Sequence, residues 1–202
     1  RIAGVDDGHP RLFEVVRHLN AAATLVGDPE ERGEVAALDL AAARRARASG
    51  AFAAVADYAA AGLEFLGPSA RVQAPRAWFE LALLRAEGLF LAGEHAAAEA
   101  ALGDMLEKTA DREGRARVFE LWAALDLHAG RLRSTIEHGC LGLEALGEAP
   151  PRTAGIPVLV EFLRTRAALG RRAPEDLLAL PALTDARVRL ALRLYFVILG
   201  AT

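Results

Sequence analysis

Apolar residues recur along most of the chain at the three- and four-residue spacing of a helix face, and alternating runs rich in Val, Ile and Thr are almost missing. From Leu12 to Val26 the sequence LFEVVRHLNAAATLV sets Leu12, Val15, Val16, Leu19, Ala22 and Ala23 on one stripe. Gly27-Asp28-Pro29 interrupts it and starts the next helix, with Asp28 as cap and Pro29 where its missing N–H does no harm. An Ala-rich helix is predicted over Pro29 to Ser49. Gly50 then reverses the chain into a helix carrying Phe52, Val55, Ala59, Leu63 and Leu66, which Gly67-Pro68 ends.

The same design returns twice. Gln73 to Ala92 carries Trp78, Leu81, Leu84 and Leu91, and Gly93-Glu94 leads into a helix through Ala98, Leu102 and Leu106. A helix from Asp111 carries Val118, Leu121, Trp122 and Leu125. After Ala129-Gly130 its partner carries Leu132, Ile136, Cys140, Leu143 and Leu146. The turn glycines Gly50, Gly93 and Gly130 recur about 40 residues apart, a period in the range of helical repeat arrays. Leu63, Leu106 and Leu143 share one offset behind them. Beyond Pro151 the pattern loosens: Val158, Leu159, Phe162, Leu163 and Leu169 suggest a helix ending at Gly170, and Asp185 starts a last one through Val188, Leu192, Phe196 and Leu199. The expected organisation is a lead-in or cap over 1–28, three divergent hairpins over 29–150, and a degenerate, truncated repeat over 151–202.

Composition narrows the function classes. Hydrophobic residues make up 53% of the 202, enough for an extensive core, and the net charge of -3 lacks the broad positive field of nonspecific nucleic-acid binders. Cys140 is the sole cysteine, which excludes an internal disulfide and zinc sites built on paired cysteines, and makes the cytoplasm the expected compartment. Apolar runs such as Leu194 to Leu199 fall well short of the roughly 20 residues that span a bilayer. The start at Arg1 and the stop at Thr202 read as a segment cut from a longer protein.

At the level of motifs, LALLRAEGLFLAGEHAAAEALGDMLEKT resembles the tetratricopeptide superfamily, with small Ala86 and Ala98 at close helix contacts and Gly93 between them. FELWAALDLHAGRLRSTIEHGCLGLEALG repeats this with Ala123 and Gly130 but has Thr135 at the crossing, and the first hairpin has Ala43 and Gly50 with Val55 at the crossing. None carries the family's terminal proline. The opening HPRLFEVVRHLNAAATLVGDPEERGEVAALDLAAARRARASG is also similar to the region after the ATPase module of large bacterial multidomain signalling proteins, often with an attached protein kinase. The resemblance implies an all-α, tetratricopeptide-like antiparallel helix-hairpin solenoid acting as a sensor or relay. No GxxxxGK[ST] loop and no kinase HRD or DFG motif is present, so no cofactor and no parent activity is assigned to these residues.

The candidate chemistry is thin. His128, His138 and Cys140 come nearest to a metal set, but Cys140 shares a stripe with Leu132, Ile136 and Leu143, which favours a packed cysteine beside ordinary histidines. A Cys140–His138 dyad fails because residues two apart on a helix point in different directions. Glu80, Glu87, Glu107, Asp111, Glu113 and Glu120 read as solvated helix faces rather than a hydrolytic pair. Arg44-Arg45-Ala46-Arg47 offers guanidiniums to phosphates but lacks interleaved aromatics for base stacking. Trp78 and Trp122 lie in apolar stripes and are expected in the core.

No catalytic, cofactor-binding or metal residue is therefore expected. Under the tetratricopeptide register the first helix of each pair lines the concave side, which places Arg44, Arg47, Glu80, Glu87, Arg117 and Glu120 on a possible protein-contact surface. The expected function is a non-catalytic protein-interaction or regulatory scaffold binding a protein domain or peptide. The alternatives are a nucleic-acid-associated regulatory domain and a non-catalytic fragment of an ATP-dependent protein kinase.

Overall fold

In the computed structural model, residues 9–150 and 182–202 are described, with a few isolated positions between 163 and 170. They fall into two compact units, Arg1–Ala110 and Asp111–Thr202. The first contains α1 (Leu12–Ala21), a short 3-10 turn (Ala23–Leu25), α2 (Pro29–Ala48), α3 (Phe52–Leu66), α4 (Ala70–Gln73), α5 (Pro75–Leu91) and α6 (His95–Lys108). The second contains α7 (Arg112–His128), α8 (Leu132–Leu146) and α9 (Ala186–Gly200).

Local chemistry sets the ends of these helices. Asp28 accepts the Glu31 N–H at 3.0 Å ahead of Pro29, Asp111 accepts the Gly114 N–H at 2.6 Å, and Asp185 accepts the N–H groups of Arg187 and Val188. Each cap satisfies donors that a first turn leaves open. The reversals after α2, α5 and α7 share one closure. Gly50, Gly93 and Gly130 take positive φ, and the next residue's N–H reaches back five residues, as from Ala51 to the Ala46 carbonyl at 3.0 Å. Glu94 to Leu89 and Arg131 to Asp126 repeat it. Only glycine adopts that backbone without a Cβ penalty.

Within the first unit, α2, α3 and α5 share a core of Ala43, Ala46, Val55, Ala59, Leu81 and Leu84. The helices approach closely because the residues between them are small: a Cβ on Gly88 of α5 would stand 2.7 Å from the Ala56 nitrogen of α3. Leu12 and Val16 of α1 pack on Leu38, Ala41 and Ala42, while Val26, Val35, Ala36 and Phe65 close the other end. Ala98, Leu102 and Met105 are the buried residues of α6, which packs on α5.

In the second unit, α9 packs on both α7 and α8 around Ala116, Leu143, Leu146, Leu190, Leu194 and Ile198. The helix expected after Asp185 forms, but its buried face is Leu190, Ala191, Leu194 and Ile198. Val188, Leu192, Phe196 and Leu199 are exposed, Phe196 by 70%. Cβ-free Gly139 and Gly142 on α8 receive Ile198 and Leu194, so the inward face of α9 is chosen by the partner surface.

The all-α class expected from the sequence is what forms, but the tetratricopeptide-like solenoid is not. In a regular array each hairpin stacks on the next through one recurring interface. Here α3 packs on α5 as extensively as on its hairpin partner α2, α2 itself also reaches α5, the short α4 intervenes, and α9 packs on both arms of the α7–α8 hairpin. Each unit is an irregular helical bundle with non-adjacent helices in contact. Apolar periodicity fixes which residues turn inward along a helix. It does not fix which helix they meet. The helix expected to end at Gly170, together with most of the expected 151–202 repeat before Ala182, lies outside the described residues.

Candidate functional site

The first unit brings four of the six expected contact residues together. Arg44 and Arg47 project from one side of α2, and Glu80 and Glu87 stand opposite on α5, giving pairs of 3.8 Å for Arg44–Glu80 and 2.8 Å for Arg47–Glu87. Arg44 remains half-exposed, so its pair adds little to stability. Beside it opens a groove of about 350 Å³ lined by Leu40, Arg44, Ala74, Pro75, Ala77 and Glu80, with Arg76 at the same wall. The first turn of α5 forms this wall. Its cap position is Ala74, which has no side chain able to accept, and it carries Arg76 at the positive end of the helix.

Arg117 and Glu120 lie on α7 in the second unit. Glu120 is bound to Arg193 of α9 at 2.6 Å, with burial pushing its carboxyl up and Arg193 pulling it back. The arginines once set against phosphate contact are engaged inside the first unit. Arg45 donates to the His9 carbonyl at 2.8 Å and lies over the Phe13 ring, and Arg44 and Arg47 hold their glutamates.

His128, His138 and Cys140 have different surroundings in the structure. His128 is exposed, with Nδ1 3.3 Å from the Ala124 carbonyl oxygen, whereas His138 is half-buried and packs on Trp122 at 4.4 Å between ring centres. No group of three or more metal-ligating side chains occurs among the described residues. Cys140 packs against the second unit's core, and its thiol is pushed up by burial and then by Glu144. Both tryptophans are half-buried. Trp78 lines a small cavity with Leu63, Ala82 and Met105.

Two polar clusters escaped the sequence reading. Asp126, 1% exposed near the end of α7, binds Arg131 through Oδ1 at 2.6 Å and His138 Nδ1 through Oδ2 at 2.7 Å, which ties both arms of the α7–α8 hairpin to its turn. Asp39, wholly buried on α2, accepts from Asn20 Nδ2 of α1 at 2.8 Å. A signal for Asp39 was present: it falls between Leu38 and Leu40 at helical spacing from Val35 and Ala42, a polar residue on an inward face. Asp126 and His138 are distant in sequence, and only the reversal brings them together.

No protein-family model, curated protein or solved structure matches the chain. The similarity to a bacterial multidomain signalling protein with ATPase and kinase modules thus finds no support from related proteins, and the irregular packing removes the tetratricopeptide-like array on which it leaned. No helix among the described residues is long and apolar enough to cross a membrane.

Proposed function

We propose that the chain is a non-catalytic helical interaction domain that engages a protein partner through the α2–α5 face of its first unit, in a reducing, cytoplasmic setting. The observation that carries this reading is the open groove of about 350 Å³ between these helices, walled by Leu40, Pro75 and Ala77 and edged by the half-exposed Arg44–Glu80 pair. Apolar walls supply contact area, and charges at the edge select and orient what enters. Arg44 and Glu80 are held close enough to be pre-positioned and loosely enough to exchange partners.

The test is a screen of the full chain for direct binders, followed by calorimetry on Arg44→Glu and on Glu80→Arg. The expected outcome is at least a tenfold loss of affinity, about 1.4 kcal/mol, with unchanged melting temperature. A partner bound equally well by both variants places the contact elsewhere, and the absence of any direct partner defeats the interaction reading itself.

A further inference from the structure

Asp39 has no exposed surface. Its Oδ1 takes one hydrogen bond from Asn20, while its Oδ2 and the Asn20 Oδ1 are both buried without a donor. A bare carboxylate held by one neutral amide is a costly arrangement, since burial removes the water that stabilises the charge. The neighbouring elements bring little relief. From α1 come Arg17 and the partially negative C-terminal end of the helix, near Asn20; Arg17 acts on Tyr58. From α3 come Tyr58 and Asp57, the latter a like charge. On α5, Leu81 lies against Gly62 beside the Asp39 Cβ, while Glu80 and Glu87 turn to Arg44 and Arg47.

One proton resolves both orphan oxygens. Carried on Asp39 Oδ2 and donated to Asn20 Oδ1, it closes a two-bond ring between a carboxylic acid and a carboxamide, the second bond being the 2.8 Å contact already present. We infer that Asn20 and Asp39 form a proton-operated latch, closed while Asp39 is the neutral acid and holding α1 on α2, and opened by ionisation of Asp39, which lifts α1. Desolvation pushes the Asp39 carboxyl up to about 7, against the lowering effect of Asn20.

The element that would move is the lightly held one. α1 has 10 residues, seated by Leu12 and Val16 and by Phe13 stacked on Tyr58 at 5.7 Å. Asn20 also lines an open cavity of about 250 Å³ with Ala23, Thr24 and Ala61, so water stands one side chain away from the acid. The unfolded chain releases this proton at about pH 4, the folded chain at about pH 7. The stabilisation from Asp39 is therefore complete below about pH 4, declines through the interval and is absent above about pH 7.

Carbon-13 carboxyl NMR on the full 202-residue chain should show Asp39 titrating near neutrality. Amide exchange corrected for intrinsic rate should show α1 protection at least tenfold lower at about pH 8.5 than at about pH 6, with α7 unchanged. Asp39→Asn keeps a neutral acceptor and supplies the donor permanently, so it should hold α1 at its acid-state protection throughout. Titration of Asp39 near pH 4, or α1 protection that ignores pH, overturns the latch. Dependence surviving in Asp39→Asn does so too, by assigning the effect to another group. If that variant does not fold, the first two measurements on the natural chain decide.

Discussion

Gly88 shows how much can rest on one missing methyl group. A Cβ there would meet the Ala56 nitrogen at 2.7 Å and the Phe52 oxygen at 2.9 Å, and backbone of a packed helix cannot step aside. Gly88→Ala is expected to cost about 2–3 kcal/mol of unfolding free energy, because overpacking outweighs the gain in helix propensity. Gly33, in the second turn of α2, has nothing within 4 Å of its would-be Cβ. Gly33→Ala should stabilise by about 0.5–1 kcal/mol. Denaturant melts of the two variants test both signs, and a neutral Gly88→Ala would mean that α3 and α5 do not approach as described. The turn glycines were legible in the sequence because a helix end leaves a local signature: Gly50, Gly93 and Gly130 each follow an apolar stripe and precede another. Gly62, Gly88, Gly139 and Gly142 left none. Each is small for the sake of a helix remote in sequence, and that requirement is written in the neighbour.

For whole elements, the starts of α2, α7 and α9 were readable from Asp28, Asp111 and Asp185, but the inward faces of α3 and α5 only in part: Val55, Ala59, Leu81 and Leu84 are buried as their spacing implied, while Gly62, Phe65, Leu89 and Phe90 are buried outside the expected stripes. The rotation of α9 was not, because its sequence offers two apolar faces and the choice is made by Gly139 and Gly142 on α8. The six expected contact residues were legible only as positions on their helices: the pairing of Arg47 with Glu87 and the groove beside Arg44 both depend on how α2 and α5 pack, which the spacing does not carry. The α7–α8 hairpin adds a polar fastening to its glycine turn. Asp126→Ala leaves the guanidinium of Arg131 and the ring of His138 without their shared acceptor at a nearly waterless position. A loss of about 2–3 kcal/mol is expected, below the full value for a buried pair because Arg131 and His138 both keep some exposure. Asp126→Asn should recover part of it by preserving one acceptor oxygen. Equal melting of the natural chain and Asp126→Ala would show that the glycine turn alone holds the hairpin.

The molecule as a whole divides at Ala110 and Asp111 into units with separate cores. Gly88 and Asp126 belong to different units and share no partner, so the double variant Gly88→Ala/Asp126→Ala should show additive losses within about 0.5 kcal/mol. A larger coupling, measured by the same denaturant melts, would show that the two sites are energetically linked. Period alone suggested a uniform array, since three glycines about 40 residues apart look alike in one dimension. The irregularity arises from α3, which serves two neighbours at once, and from α9, which serves another two.

That division also bears on the order of events during synthesis. Every residue of the first unit's core precedes Asp111, and its largest contacts join helices that are near neighbours in the chain. Such contacts close short loops and form quickly. Synthesis adds about 5–20 residues each second, and domains generally fold as units in the order they are made. The second unit must wait for α9, the last of its described helices in the chain, because Leu190, Leu194 and Ile198 supply the far side of its core. The small residues Gly139 and Gly142 thus keep a place open on α8 for a helix made some fifty residues later, and a stalled chain would present that vacant apolar seat to chaperones.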